Sequence, residues 1–85
     1  MQLKPEEFTA VRNRLARAKG QLEGVIRMLD EGADCEKVVH QLAACSKALD
    51  KAGYSIIATA LQQCVANPDE AMEPERLEKL FLTLT

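Results

Sequence analysis

Apolar residues recur in the first third of the chain at Val11, Leu15, Ala18, Leu22, Val25 and Leu29. Alternating four- and three-residue steps are the period of a helix that packs along a seam. Pro5, Glu6 and Glu7 suit its first turn: proline needs no amide partner there, and the acids face the positive end of the dipole. The helix is predicted to stop near Gly32, in Asp30-Glu31-Gly32-Ala33-Asp34, with Gly32 as its cap and Asp34 capping the next helix. That second helix is predicted from about Cys35 to about Val65. Its seam reads Cys35, Val38, Leu42, Cys45, Leu49, Ala52 and Ile56, widened by Val39, Ile57, Leu61 and Cys64. Asn67-Pro68 ends it. After an acidic loop, Pro74 opens a short third helix carrying Leu77, Leu80, Phe81 and Leu84.

The pattern predicts an all-α protomer of three helices around one long central helix. At about 1.5 Å per residue, helix two is close to 45 Å long. Helix one covers only part of it, and helix three is too short to cover the rest. A wide apolar stripe of that length calls for a second subunit, most simply in a two-fold antiparallel helical dimer. Gly20 and Gly24 lie on one face of helix one, where they are expected to permit close helix approach. Composition agrees with helix-on-helix packing: 47% of the 85 residues are apolar, and Phe8, Tyr54 and Phe81 are the only aromatics. A chain this short makes one domain and buries little core of its own.

No apolar run is long enough to span a membrane, and the charged start lacks the apolar stretch of a signal peptide. The cytoplasm is therefore the expected compartment. In that reducing setting three cysteines are thiols, and their spacing matches neither a disulfide framework nor a paired-cysteine metal site. Cys35 and Cys64 are 29 positions apart. At 100° per residue, both face the same way to within about 20°. They are also about 43 Å apart along one helix, so they meet only between subunits. In the antiparallel dimer Cys35 of one subunit lies beside Cys64 of the other, twice over.

The helix dipole favours an anion at Cys35, against the opposing charge of Asp34, and disfavours one at Cys64. This assigns Cys35 as attacking thiol and Cys64 as resolving thiol. Simple burial as small core residues accounts for the same positions equally well. Cys45, in mid-seam, is read as packing. His40 lies about 140° around the helix from Cys35 and is read as a solvated residue or a DNA contact rather than a ligand.

The net charge of -2 hides a polarised chain. Between Arg12 and Arg27 stand Arg12, Arg14, Arg17, Lys19 and Arg27 against Glu23 alone. After Pro68 the acids Asp69, Glu70, Glu73, Glu75 and Glu78 outnumber Arg76 and Lys79. Lys47 and Lys51 extend the basic face from helix two. A solvated helix face explains the same charges. No zinc finger, aromatic RNA-binding stripe or helix-turn-helix pattern accompanies them. Any DNA contact would run mainly through phosphates and be sensitive to salt.

The run from Asn13 to Leu29, NRLARAKGQLEGVIRML, resembles the helix-one signature of the copper-sensitive operon repressor (CsoR/RcnR/FrmR-type) family. The Asp34-Cys35 corner, the Gln41-Leu42-Ala43-Ala44 stretch and the cysteine spacing continue the likeness over nearly the whole chain. The resemblance implies one CsoR-like helical domain over residues 1–85. It also implies a dimer of dimers that represses genes and leaves double-stranded operator DNA when an inducer acts. No enzyme activity, cofactor or membrane is implied.

Branches of the family differ in inducer. The copper branch uses two cysteines and a histidine four residues before the second, which here are Cys35, Ala60 and Cys64. Alanine removes one ligand of three, although two soft thiolates suffice for two-coordinate copper(I). The nickel branch needs histidines absent here, and the formaldehyde branch lacks the second cysteine. The closest likeness is to the persulfide-sensing, CstR-like branch, which keeps both cysteines and drops the histidine. Its implied mechanism has Cys35 attack the sulfane sulfur of a persulfide or polysulfide, and Cys64 of the neighbouring subunit then closes a sulfur bridge. Copper(I) held by Cys35 and Cys64 is the alternative. By resemblance, DNA contacts fall on Arg14 and Lys51, with Arg17, Lys19 and Gln21 as further contacts. Two other classes compete: a redox or sulfur-transfer enzyme using Cys35, for which no base or pocket signature is seen, and a plain helical interaction module.

Overall fold

The computed structural model describes the backbone of residues 1–85 and the side chains of all but Glu70, so that member of the acidic segment lies outside the described side chains. Three α-helices follow one another: α1 (Thr9–Asp30), α2 (Cys35–Ala66) and α3 (Pro74–Leu84). The Pro5–Glu7 stretch forms a separate 3-10 turn instead of the first turn of α1. Between it and α1 stands Phe8, which is buried and clusters with Val11, Ala52 and the half-buried Ile56. The anchoring of this ring bends the chain between turn and helix, an element that periodicity alone does not signal. A second 3-10 turn, Pro68–Glu70, occupies the acidic loop.

The corner between α1 and α2 follows from its residues. Gly32 has φ +68. The Gly32 amide donates to the Leu29 carbonyl at 3.2 Å and the Ala33 amide to the Met28 carbonyl at 2.9 Å. These two bonds are the paired closure of a glycine-capped helix end, and they satisfy carbonyls that would otherwise lack partners. The Asp34 carboxylate then accepts from the Glu36 amide at 3.1 Å and caps α2. The chain reverses within four residues, so α1 lies antiparallel along the first part of α2.

Packing divides each predicted seam in two. On α1 the structure buries Val11, Ala18 and Val25, while Leu15, Leu22 and Leu29 stay exposed, Leu29 at 64%. On α2 it buries Cys45 and Ala52, half-buries Val38 and Ile56, and exposes Cys35, Leu42 and Leu49. Small residues at the contact let the two helices approach closely, but one neighbouring helix covers only a narrow stripe. The close approach expected at Gly20 and Gly24 is not used within the protomer. A Cβ at Gly20 would meet nothing within 4 Å, and one at Gly24 would meet only the Gln41 amide at 3.9 Å. Gly53 plays that part instead: a Cβ there would stand 3.1 Å from Leu84, at the end of α3. Beside it, Tyr54 and Phe81 pack with ring centroids 5.5 Å apart. In this way α3 folds back over the later part of α2.

Candidate functional site

The α1–α2 hairpin has two distinct sides. Helical periodicity places Arg14 and Gln21 on one side of the buried Val11–Ala18–Val25 line, and Leu15 and Leu22 on the other. The same holds on α2, with Ala44, Ala48 and Lys51 on one side of Cys45 and Ala52, and Leu42 and Leu49 opposite. On the first side an open groove is lined by Arg14, Arg17, Gln21, Lys47 and Lys51, with Ala18, Ala44 and Ala48 as its floor. Four cations and no acid border it. The small floor residues leave room between the helices, and the long basic stems form the rims. Gln21 is half-buried, and its Oε1 lacks a hydrogen-bond partner among the described residues.

Of the five sequence-predicted DNA contacts, the structure brings Arg14, Arg17, Gln21 and Lys51 together. Lys19 is exposed and lies outside the groove, because it projects from the leucine side of α1. Lys47, noted in the sequence only as an extension of charge, is a full member of the rim.

The sulfur residues sort themselves by depth. Cys45 is 2% exposed and its thiol donates to the Ala18 carbonyl at 3.5 Å, tying α2 to α1. This is the packing role that its place in mid-seam suggests. Cys35 is exposed at the first position of α2, and Cys64 is half-buried near its end. Both project on the side of the open leucines. Cys64 also borders an apolar cleft between α2 and α3, beside Ile57, Leu61, Met72, Leu77 and Phe81. His40 is exposed in a shallow depression with Asp34, Lys37 and Gln41.

Ala60 stands one turn before Cys64 and is only 7% exposed, so a methyl group fills the place of a third ligand. Among the described residues, no group of three histidine, cysteine or carboxylate side chains is placed to hold a metal ion. A three-donor site made from positions 35, 60 and 64 therefore does not fit this chain.

Sequence reasoning missed the packing around Cys64. Gln63 is buried, and its amide donates to the Glu7 carboxylate. The Cys64 thiol meets the Met1 thioether, with 3.8 Å between sulfurs. Polar residues at 7 and 63, on either side of apolar runs, were the only signal of it in the sequence.

The class of protein is settled by comparison. The family described as metal-sensitive transcriptional repressor matches residues 7–85, and the chain belongs to that family, one of repressors and not of enzymes. The copper-sensing transcriptional repressor CsoR of Mycobacterium ulcerans is 40% identical over 55 residues, covering 65% of this chain and 47% of that protein. CsoR of Mycobacterium tuberculosis is 34% identical over 55 residues, with 65% and 46% covered. The uncharacterized protein YrkD of Bacillus subtilis is 47% identical over 38 residues, 45% of this chain and 60% of that one. The chain spans about half the length of the CsoR relatives it matches. No solved structure matches it. Among the described residues, no helix is long and apolar enough to cross a membrane.

Proposed function

We propose that the chain represses transcription as a homo-oligomer on double-stranded operator DNA and lets go when an inducer joins Cys35 of one subunit to Cys64 of another. The observation that carries this reading is the shared edge of α2. Both thiols lie on the side that exposes Leu42 and Leu49, away from the basic groove. Antiparallel pairing of two such edges covers the leucines and sets each Cys35 beside a Cys64. A dimer of dimers, as the family resemblance implies, repeats the arrangement in the cytoplasm. Arg14, Arg17, Lys47 and Lys51 supply phosphate contacts, and Lys19, which projects on the leucine side, drops out of that interface. Gln21 offers an amide to a base edge.

Two inducers suit a pair of soft sulfur donors. The names of the CsoR relatives favour copper(I), which the thiolates of Cys35 and Cys64 hold between subunits. This corrects the weighting drawn from the sequence, which set reactive sulfur first on likeness to the CstR-like branch. Persulfide sensing remains the second reading, and Ala60 is the observation that favours it: a buried methyl has no bearing on sulfur chemistry but costs a metal one ligand. In that reading Cys35 attacks the sulfane sulfur of a persulfide, RSSH, and displaces RSH. Cys64 then attacks the new Cys35 persulfide and displaces hydrogen sulfide, so one RSSH oxidises two thiols to a disulfide.

The test uses reduced protein on a DNA fragment selected from a random pool, titrated separately with copper(I) and with a persulfide donor, with intact mass read throughout. Release at stoichiometric copper(I) with unmodified mass supports the first reading. Release only by the persulfide, with a Cys35–Cys64 cross-linked dimer, replaces it with the second. Failure to select any DNA, or unchanged release in Cys35→Ser and Cys64→Ser, overturns the proposal as a whole.

A further inference from the structure

Ala60 leaves a copper(I) site one donor short, yet a second sulfur already stands beside Cys64. The Met1 Sδ lies 3.8 Å from the Cys64 Sγ. A thioether is a soft, uncharged donor of the kind that selects copper(I). With metal–sulfur bonds of about 2.3 Å, as for zinc, two sulfurs at a trigonal angle stand about 4 Å apart. The observed separation, an ordinary contact between two sulfurs, also falls within the reach of two ligands of one ion.

The path of the leading segment brings Met1 to Cys64, although Met1 itself is 41% exposed. Residues Met1–Glu6 border one depression together with Asp69 and Ala71, so the leading segment lies along the chain that leaves α2. Glu7 anchors its far end by accepting a hydrogen bond from the buried Gln63, the residue before Cys64. Nothing charged is needed at the third position. Two thiolates already exceed the charge of copper(I), and a neutral thioether adds no further repulsion.

We propose that Met1 is a copper(I) ligand, so that Met1 and Cys64 of one subunit and Cys35 of another form a three-sulfur site. The proposal rests on the copper(I) reading above. Two thiols each lose a proton to solvent and the thioether loses none. One copper(I) then gains three bonds and the site carries a charge of minus one, with no change of oxidation state. Met1 thereby takes over the donor role that Ala60 cannot fill, from a different part of the chain.

The test compares the wild-type chain with Met1→Leu, made by release from a cleavable fusion and verified by intact mass, using competition with a copper(I) chelator and copper X-ray absorption. Wild type is expected to show three sulfur neighbours and Met1→Leu two, with affinity lowered by at least the roughly tenfold that even outer-shell changes cause. Selenomethionine labelling separates Met1 from Met72: copper–selenium scattering should appear in labelled wild type and vanish in labelled Met1→Leu. Tight binding by two sulfurs in both proteins, with no copper–selenium scattering, overturns the role of Met1 while leaving the copper reading intact. No binding by wild type overturns the copper reading and this site with it.

Discussion

Among the three cysteines, reactivity should follow access to each thiol. Cys35 is exposed, Cys64 is half-buried, and Cys45 is closed in behind α1 with its thiol turned to the Ala18 carbonyl. Alkylation of the native reduced protein, followed by peptide mass spectrometry over time, should modify Cys35 first and Cys64 next. Cys45 should react only when α1 and α2 part, on the timescale of local unfolding. Labelling of Cys45 as fast as Cys35 would contradict its burial between the two helices. Its role was legible in the sequence because a mid-seam position on the apolar stripe leaves little else for a thiol to do. The Met1–Cys64 contact was not legible. It depends on how the leading segment runs back past the end of α2, and that path is set by Phe8 and the Glu7–Gln63 bond, which no periodicity encodes.

The helices were the most legible elements, since period, caps and prolines agree with one another. Gly32, Asp34, Asn67 and Pro74 mark their ends by local chemistry that needs no tertiary context. Which half of each seam is buried was illegible, because Leu15 and Ala18 fit the same period and only a neighbouring helix distinguishes them. Two glycines of α1 and its corner test the distinction between backbone need and spare room. Gly32 adopts a left-handed conformation, so Gly32→Ala should destabilise the protein by about 1 kcal/mol. Gly20 sits in mid-helix with open space around it, so Gly20→Ala should stabilise it by a similar amount, about 1 kcal/mol. Urea denaturation of both variants measures the two signs. A loss of stability at Gly20 would mean that another subunit's backbone approaches there, and that the close approach absent from the protomer is made in the assembly.

As a whole the molecule is extended rather than compact. A compact chain of this length has a radius of gyration of about 12 Å; this one has 16.4 Å, with extents of 53 × 25 × 13 Å. It exposes 6598 Å², roughly a third more surface than a compact monomer of its mass. The excess includes a continuous leucine edge, of which Leu22, Leu42 and Leu49 are each more than 40% exposed. Apolar surface on that scale marks an interaction face, and the basic groove lies on the other side, so that under the proposed function a subunit seated on the leucines leaves the groove free for DNA. Assembly and DNA binding should therefore separate by mutation in one direction only. Leu49→Glu places a charge on the edge, and the assembly should fall apart in light scattering. Operator affinity should fall with it, because single protomers present too few phosphate contacts in register. Arg14→Ala should leave the assembly intact, weaken operator binding, and flatten its dependence on salt by about one counterion for each phosphate that an Arg14 side chain neutralises. An intact assembly in Leu49→Glu would mean that another surface joins the subunits. Cys35 and Cys64 would then no longer be brought together by the leucine edge, and the inducer site would have to be sought elsewhere.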